Sequence, residues 1–165
     1  MGKEYTMQEA LKLAVQAEKD SMDFYRRAAS VTTNERAKKV FDLLANEEVA
    51  HLKLFFDHYK GGEFGDITSF LNSPPSKKSA TILALEKAIN ANTHEKEALE
   101  IAMKEEKATI DQYTLLSKDI VDPLVKKVFD QVVKETQNHY AMIEDEYMHV
   151  MGMVSGSDQD TYVRE

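Results

Sequence analysis

The sequence predicts an all-α fold, a four-helix bundle built from two helical hairpins joined by a long crossover. Two observations carry that expectation. Apolar residues recur at spacings of three and four through four long stretches, the period of a helix with one buried face. The second is an internal repeat: sliding residues 14–51 by 88 positions superimposes them on 102–139 with no gap and about 12 identities in roughly 38 places. Ala14 then falls on Ala102, Glu18 on Glu106, Tyr25 on Tyr113, Glu47 on Glu135 and His51 on His139. The block Lys38-Lys-Val-Phe-Asp42 recurs letter for letter as Lys126-Lys-Val-Phe-Asp130. Duplication is the simplest account, and it makes the two halves the same hairpin facing itself.

Each helix has its own start and stop signals. Thr6-Met-Gln-Glu9 is a capping box, with a hydroxyl and a carboxylate each satisfying a free backbone N–H, so the first long helix is expected over 7–30. Its inward face is read as apolar except for Glu18 and Tyr25. Thr32-Thr-Asn-Glu35 reads as a second capping box, opening a helix that Gly61-Gly62 ends. Residues 60–79 hold Gly61, Gly62, Gly65, Pro74 and Pro75 and read as a connection with a short helical turn at 67–71. A short helix follows over 80–91. Asn92-Thr-His-Glu95 is expected to cap the third long helix, 93–118, and Asp122 before Pro123 to cap the fourth, 123–151. Residues 1–151 therefore form one bundle domain, and the polar residues 152–165 are expected to be a frayed tail.

Composition narrows the chemistry. The 165 residues carry 21 basic and 29 acidic side chains, a net charge of −8, which argues against a nucleic-acid or anionic-membrane partner. No apolar run approaches the length of a membrane span and the N-terminus lacks a secretory core, so a cytoplasmic location is expected. With no Cys, the chain offers only the oxygen and nitrogen donors of Glu, Asp and His.

Those donors coincide with the repeat. Glu48 and His51 are three residues apart, about 4.5 Å along a helix axis and roughly 60° around it, so both can reach one ion. Glu18 and Glu106 interrupt apolar stripes at equivalent points, and His139 repeats His51. Three carboxylates facing a core cost several kcal/mol each unless paired, protonated or bound to a cation. No Arg or Lys stands at the matching depth, so the carboxyl pKa values are expected to be raised and a divalent ion to relieve the repulsion. This oxygen and nitrogen set suits iron or manganese better than calcium, with zinc an alternative. Tyr25 and Tyr113, each seven residues after its Glu, lie on the same face two turns on and are expected to donate hydrogen bonds to the ligands, the contribution to catalysis assigned to them here. Glu47 and Glu135 flank the ligand positions and are expected to be solvated or to support the ligands. His58, His94 and His149 lack repeat partners and are expected at the surface, while Met142, Met148, Met151 and Met153 fill gaps or face a partner.

On Glu18, Glu48, His51, Glu106 and His139, residues 7–151 resemble the rubrerythrin and ferritin-like di-iron carboxylate proteins. In that family two helices each give one Glu, and the other two each give a Glu-x-x-His whose Glu bridges two irons. The resemblance implies the ferritin-like topology, two iron ions with manganese or zinc as substitutes, and a di-ferrous site reacting with peroxide or dioxygen as a peroxidase or ferroxidase. Two departures stand out. Lys134-Glu-Thr-Gln-Asn-His139 places Thr136 where the second bridging Glu belongs; Glu135 is the substitute ligand available, about 100° around the helix. One of the two metal positions is weakened accordingly. The Cys-rich iron domain of rubrerythrins proper is also missing, so an external electron donor protein is expected. A homodimer is the expected assembly. An alternative stays open: because of Thr136, a metal-binding or metal-free bundle serving storage or interaction.

Overall fold

A computed structural model describes residues 5–90 and 94–152. It comprises α1 (Met7–Val31), α2 (Glu35–Phe56), α3 (Ile67–Leu71), α4 (Ala80–Asn90), α5 (His94–Ser117) and α6 (Pro123–Val150). Among the described residues there is no strand, and no helix is long and apolar enough to cross a membrane. The four long helices form the expected ferritin-like bundle, with α1 paired to α2, α5 paired to α6, and α3 and α4 in the crossover.

The first capping box forms with both halves in place: Glu9 N–H donates to Thr6 Oγ1 at 3.1 Å and Thr6 N–H to Glu9 Oε1 at 2.9 Å. The second does not. Asn34 is the N-cap of α2, accepting from Ala37 N–H at 2.9 Å, while Thr32 closes α1 by donating its N–H to Ala28 O at 3.1 Å. An Asn cap is as good as a Thr cap, and using it lets α1 keep one more residue. Helix α2 also stops earlier than its glycines suggest, at Phe56. A tertiary contact ends it: Gln8 of α1 donates to His58 O at 3.1 Å and accepts from Lys60 N–H at 2.8 Å, meeting backbone groups that further helix would have paired internally. The expected cap Asn92 and the tail from 153 onward, Met153 included, lie outside the described residues. Asp122 caps α6 as its sequence predicts, accepting from Leu124 N–H at 2.9 Å with Pro123 following. Gly152, at φ +74°, takes the left-handed position after the C-cap.

The core falls into two apolar clusters. One gathers Leu11 and Val15 of α1, Phe55 of α2, Tyr113 of α5 and Phe129 of α6; the other gathers Phe24, Phe41, Leu44, Leu99 and Ile143. Each long helix contributes to both, α1 and α6 in one order and α2 and α5 in the other. Neighbours α1/α2, α5/α6, α1/α5 and α2/α6 are therefore antiparallel. The crossover must then travel the length of the bundle, roughly 33 Å for a helix of 22 residues. Phe70 and Leu71 of α3 pack on the first cluster, and Leu85 of α4 belongs to the second. At about 1.5–3 kcal/mol per large apolar side chain buried, the clusters outweigh the several kcal/mol that each intervening buried carboxylate costs.

The buried side of α1 is wider than its stripe suggests. Lys19 and Asp23 are 2% and 6% exposed and paired with each other, and Lys19 Nζ also donates to Ser73 O at 3.0 Å beneath the crossover. Their burial comes from the covering segment, which helical periodicity does not encode. His58 and His149 are half-buried, short of the surface position expected for them. Met142 is partly buried against the second cluster, while Met148 and Met151 are exposed.

Candidate metal centre

Each long helix carries a polar interruption between its contributions to the two apolar clusters, and the interruptions meet at one level. Glu18 stands on α1, Glu48 and His51 on α2, Glu106 on α5 and His139 on α6, and all five are buried. His51 Nδ1 lies 3.4 Å from Glu18 Oε1 and 3.2 Å from Glu48 Oε1. His139 Nδ1 lies 3.6 Å from Glu106 Oε1 and 3.8 Å from Glu48 Oε1. The two imidazoles stack with centroids 5.3 Å apart and planes 18° from parallel. Glu48 thus sits between two half-sites, each with a histidine and a glutamate of its own.

These atoms are close without being hydrogen-bonded. Glu18 Oε1, Glu48 Oε1, Glu106 Oε1, His51 Nδ1 and His139 Nδ1 are all buried with no hydrogen-bond partner, a cost of about 1–3 kcal/mol apiece or more. A cation about 2.0–2.2 Å from each donor holds neighbouring donors roughly 3–3.5 Å apart, close to the spacings observed. Donor atoms of Glu48, His51 and His139 all lie within 4.8 Å of one another. The residues present therefore fit a metal ion, by donor type and by orphaned atoms alike.

The remaining polar atoms of the ligands are occupied, in a crossed pattern. Tyr113 of α5 donates to Glu18 Oε2 of α1 at 2.7 Å, and Tyr25 of α1 donates to Glu106 Oε2 of α5 at 2.7 Å. Burial, reinforced by these carboxylates, pushes both phenol pKa values well above 10, so the hydroxyls remain donors. Replacing either tyrosine with Phe leaves a buried carboxylate oxygen without its donor. The expected cost is about 1–3 kcal/mol, a fall of roughly 2–4 °C in midpoint per kcal/mol. Thermal melts of Y25F and Y113F check this, and unchanged midpoints would show that the bonds contribute nothing.

The outer ring nitrogens are also crossed. His51 Nε2 on α2 meets Glu135 Oε1 of α6 at 2.9 Å, and His139 Nε2 on α6 meets Glu47 Oε1 of α2 at 3.1 Å. The expectation of Glu135 as a substitute ligand does not match this position, because its carboxylate reaches His51 from the side away from Nδ1. One residue's rotation around α6 accounts for that. Thr136 is buried and donates to Val132 O of its own helix at 2.7 Å, so no carboxylate faces Glu48 from α6. Gln131, which donates to Glu135 Oε2 at 3.1 Å, was not foreseen; its signal was the spacing of four to a Glu beside the ligand position.

Protonation reflects the crowding of charge. Burial, then Glu18 and Glu106, hold the Glu48 carboxyl well above the usual carboxylate range. Burial alone would lower the His51 pKa, but Glu18 and Glu48 override it and push it up to about 11. Burial likewise opposes the rise at His139, where Glu106 prevails. Without a cation, this crowding favours protons on Glu48, His51 and His139.

The rubrerythrin family profile matches residues 9–147. The chain belongs to the rubrerythrin family. A hypothetical protein from Pyrococcus furiosus has a similar solved structure, with a TM-score of 0.65 and 20% identity over 92% of this chain and 94% of that one, a likeness of fold. No curated protein matches the sequence. Rubrerythrin membership and the buried Glu and His donors together point to metal binding within the bundle.

Proposed function

We propose that this rubrerythrin-family chain is a non-haem di-iron oxidoreductase that reacts with peroxide or dioxygen. The observation that supports the reading best is the set of five buried, unpartnered donor atoms at one level of the bundle. A di-ferrous pair supplies two electrons, the number that reduces hydrogen peroxide to water with two protons. The chain's own part is to hold and screen that pair. Glu48 would be shared between the half-sites, with Glu18 and His51 holding one ion and Glu106 and His139 the other. Tyr25 and Tyr113 orient the outer carboxylates and keep their phenolic protons. The two apolar clusters exclude bulk water from both ends. Electrons must come from outside these 165 residues, which contain no Cys and hence no thiolate-held iron.

Thr136 favours a second reading, a protein that holds metal without redox turnover. One experiment separates the two. Protein reconstituted anaerobically with ferrous iron is expected to bind close to two ions per chain and to show ferric absorption when peroxide or dioxygen is added. Iron bound but inert to both oxidants supports the second reading; no bound iron refutes the first, and no bound iron, manganese or zinc refutes both.

A further inference from the structure

Two of the differences between the halves of the internal repeat bear on the cluster, and both favour the same half. Thr136 stands opposite Glu48 in the repeat, and Gln131 stands opposite Leu43. The carboxylate that meets His51 is therefore itself held, Gln131 donating to Glu135 Oε2 at 3.1 Å. At the equivalent place beside Glu47, Leu43 has no donor to give. The distances lean the same way. Around His51 the contacts to Glu18, Glu48 and Glu135 are 3.4, 3.2 and 2.9 Å; around His139 those to Glu106, Glu48 and Glu47 are 3.6, 3.8 and 3.1 Å.

We propose that Glu135 and Glu47 are positioning residues that clamp His51 and His139 across the hairpin interface with Nδ1 facing inward, and that Gln131 makes the His51 half the first to take an ion. The proposal rests on the metal-binding reading above and assigns residues that touch the histidines' outer nitrogens, not the ion. An ionised carboxylate only accepts, so each Nε2 must carry its proton, which leaves Nδ1 to supply the inward lone pair when an ion binds. Holding the ring in that orientation beforehand removes an ordering cost from binding. Each clamp is made by the opposite hairpin: a change on α2 is felt by the histidine of α6, and the reverse.

That crossing is the basis of the test. Glu47 and Glu135 are 45% and 39% exposed, and Gln131 is exposed, so none of them is needed to fill the core. In metal-free protein labelled with 15N-histidine, E135A is expected to accelerate solvent exchange of the His51 Nε2 proton and to leave His139 unchanged. E47A should do the converse, and E135Q and E47Q should recover part of the protection through their amide carbonyls. Titrated with cobalt(II), wild-type protein should show two steps. E135A should weaken the first by about 10- to 100-fold, E47A the second only, and Q131L should bring the two steps together. The clamps are overturned if each alanine variant alters the histidine on its own helix, or both histidines equally. The filling order is overturned by a single wild-type step, or by a Q131L titration identical to wild type. A wild-type protein that binds no cobalt removes the metal-binding reading and the filling order with it, while the clamps are still decided by proton exchange.

Discussion

Glu48→Gln is expected to cut metal affinity by more than about 100-fold, the upper end of the loss brought by disturbing a ligand's hydrogen-bond partner alone, while making the metal-free bundle more stable at pH 8. The two signs have one cause. Glu48 is the carboxylate between the half-sites, 3.2 Å from His51 Nδ1 and 3.8 Å from His139 Nδ1, so its loss affects both. In the absence of a cation, burial and its neighbours Glu18 and Glu106 also hold it against ionising. Glutamine reproduces the shape of the protonated acid without the proton's dependence on pH. A neutral amide escapes the penalty that burial and the neighbouring carboxylates place on an ionised Glu48, so a higher metal-free midpoint at pH 8 is expected. Calorimetric titration with a divalent metal and melts in chelator measure the two effects. Retained affinity would remove Glu48 from the ligand set, and a lower metal-free midpoint would show that its carboxylate stabilises the core.

The same groups make metal-free and metal-loaded protein respond differently to pH. His51 has a folded-state pKa of about 11 against an ordinary 6.5, so its stabilising contribution is complete below about 6.5 and is lost as pH rises through 11. Glu48 acts in the same direction, since above its ordinary 4.5 the folded chain keeps a proton that the unfolded chain has released. Metal-free stability should therefore fall steadily from pH 6 to pH 9. An ion must displace these protons to bind, so its affinity should rise about tenfold per pH unit for each proton released. Melting midpoints with excess zinc and with chelator should accordingly diverge as pH increases. Parallel curves would mean that binding releases no protons and that the cluster is not the site.

Much of this could be read from the order of residues. Thr6, Glu9, Asp122 and Pro123 act through partners two or three residues away, so local sequence suffices to place those helix ends. The end of α2 is not legible in the same way, because Gln8, some fifty positions earlier, meets the His58 carbonyl and the Lys60 N–H just beyond it. Glu18, Glu48, His51, Glu106 and His139 were legible as a group because duplication repeats four of them in register with an apolar stripe. Lys19 and Asp23 were not, since their burial depends on where the crossover lies.

By itself the sequence determined the four long helices, their pairing and which acidic and imidazole groups share a depth, because helical period and duplication are properties of spacing along one chain. Only the tertiary structure decided what each atom of those groups faces. A rotation of about 100° separates Glu135 from the neighbouring position, and the packing of α6 against α2 turns that rotation into a hydrogen bond to His51 Nε2, the supporting role of the two open to it. Spacing along a helix fixes relative angle and depth; the absolute rotation of that helix is set by the side chains it packs against.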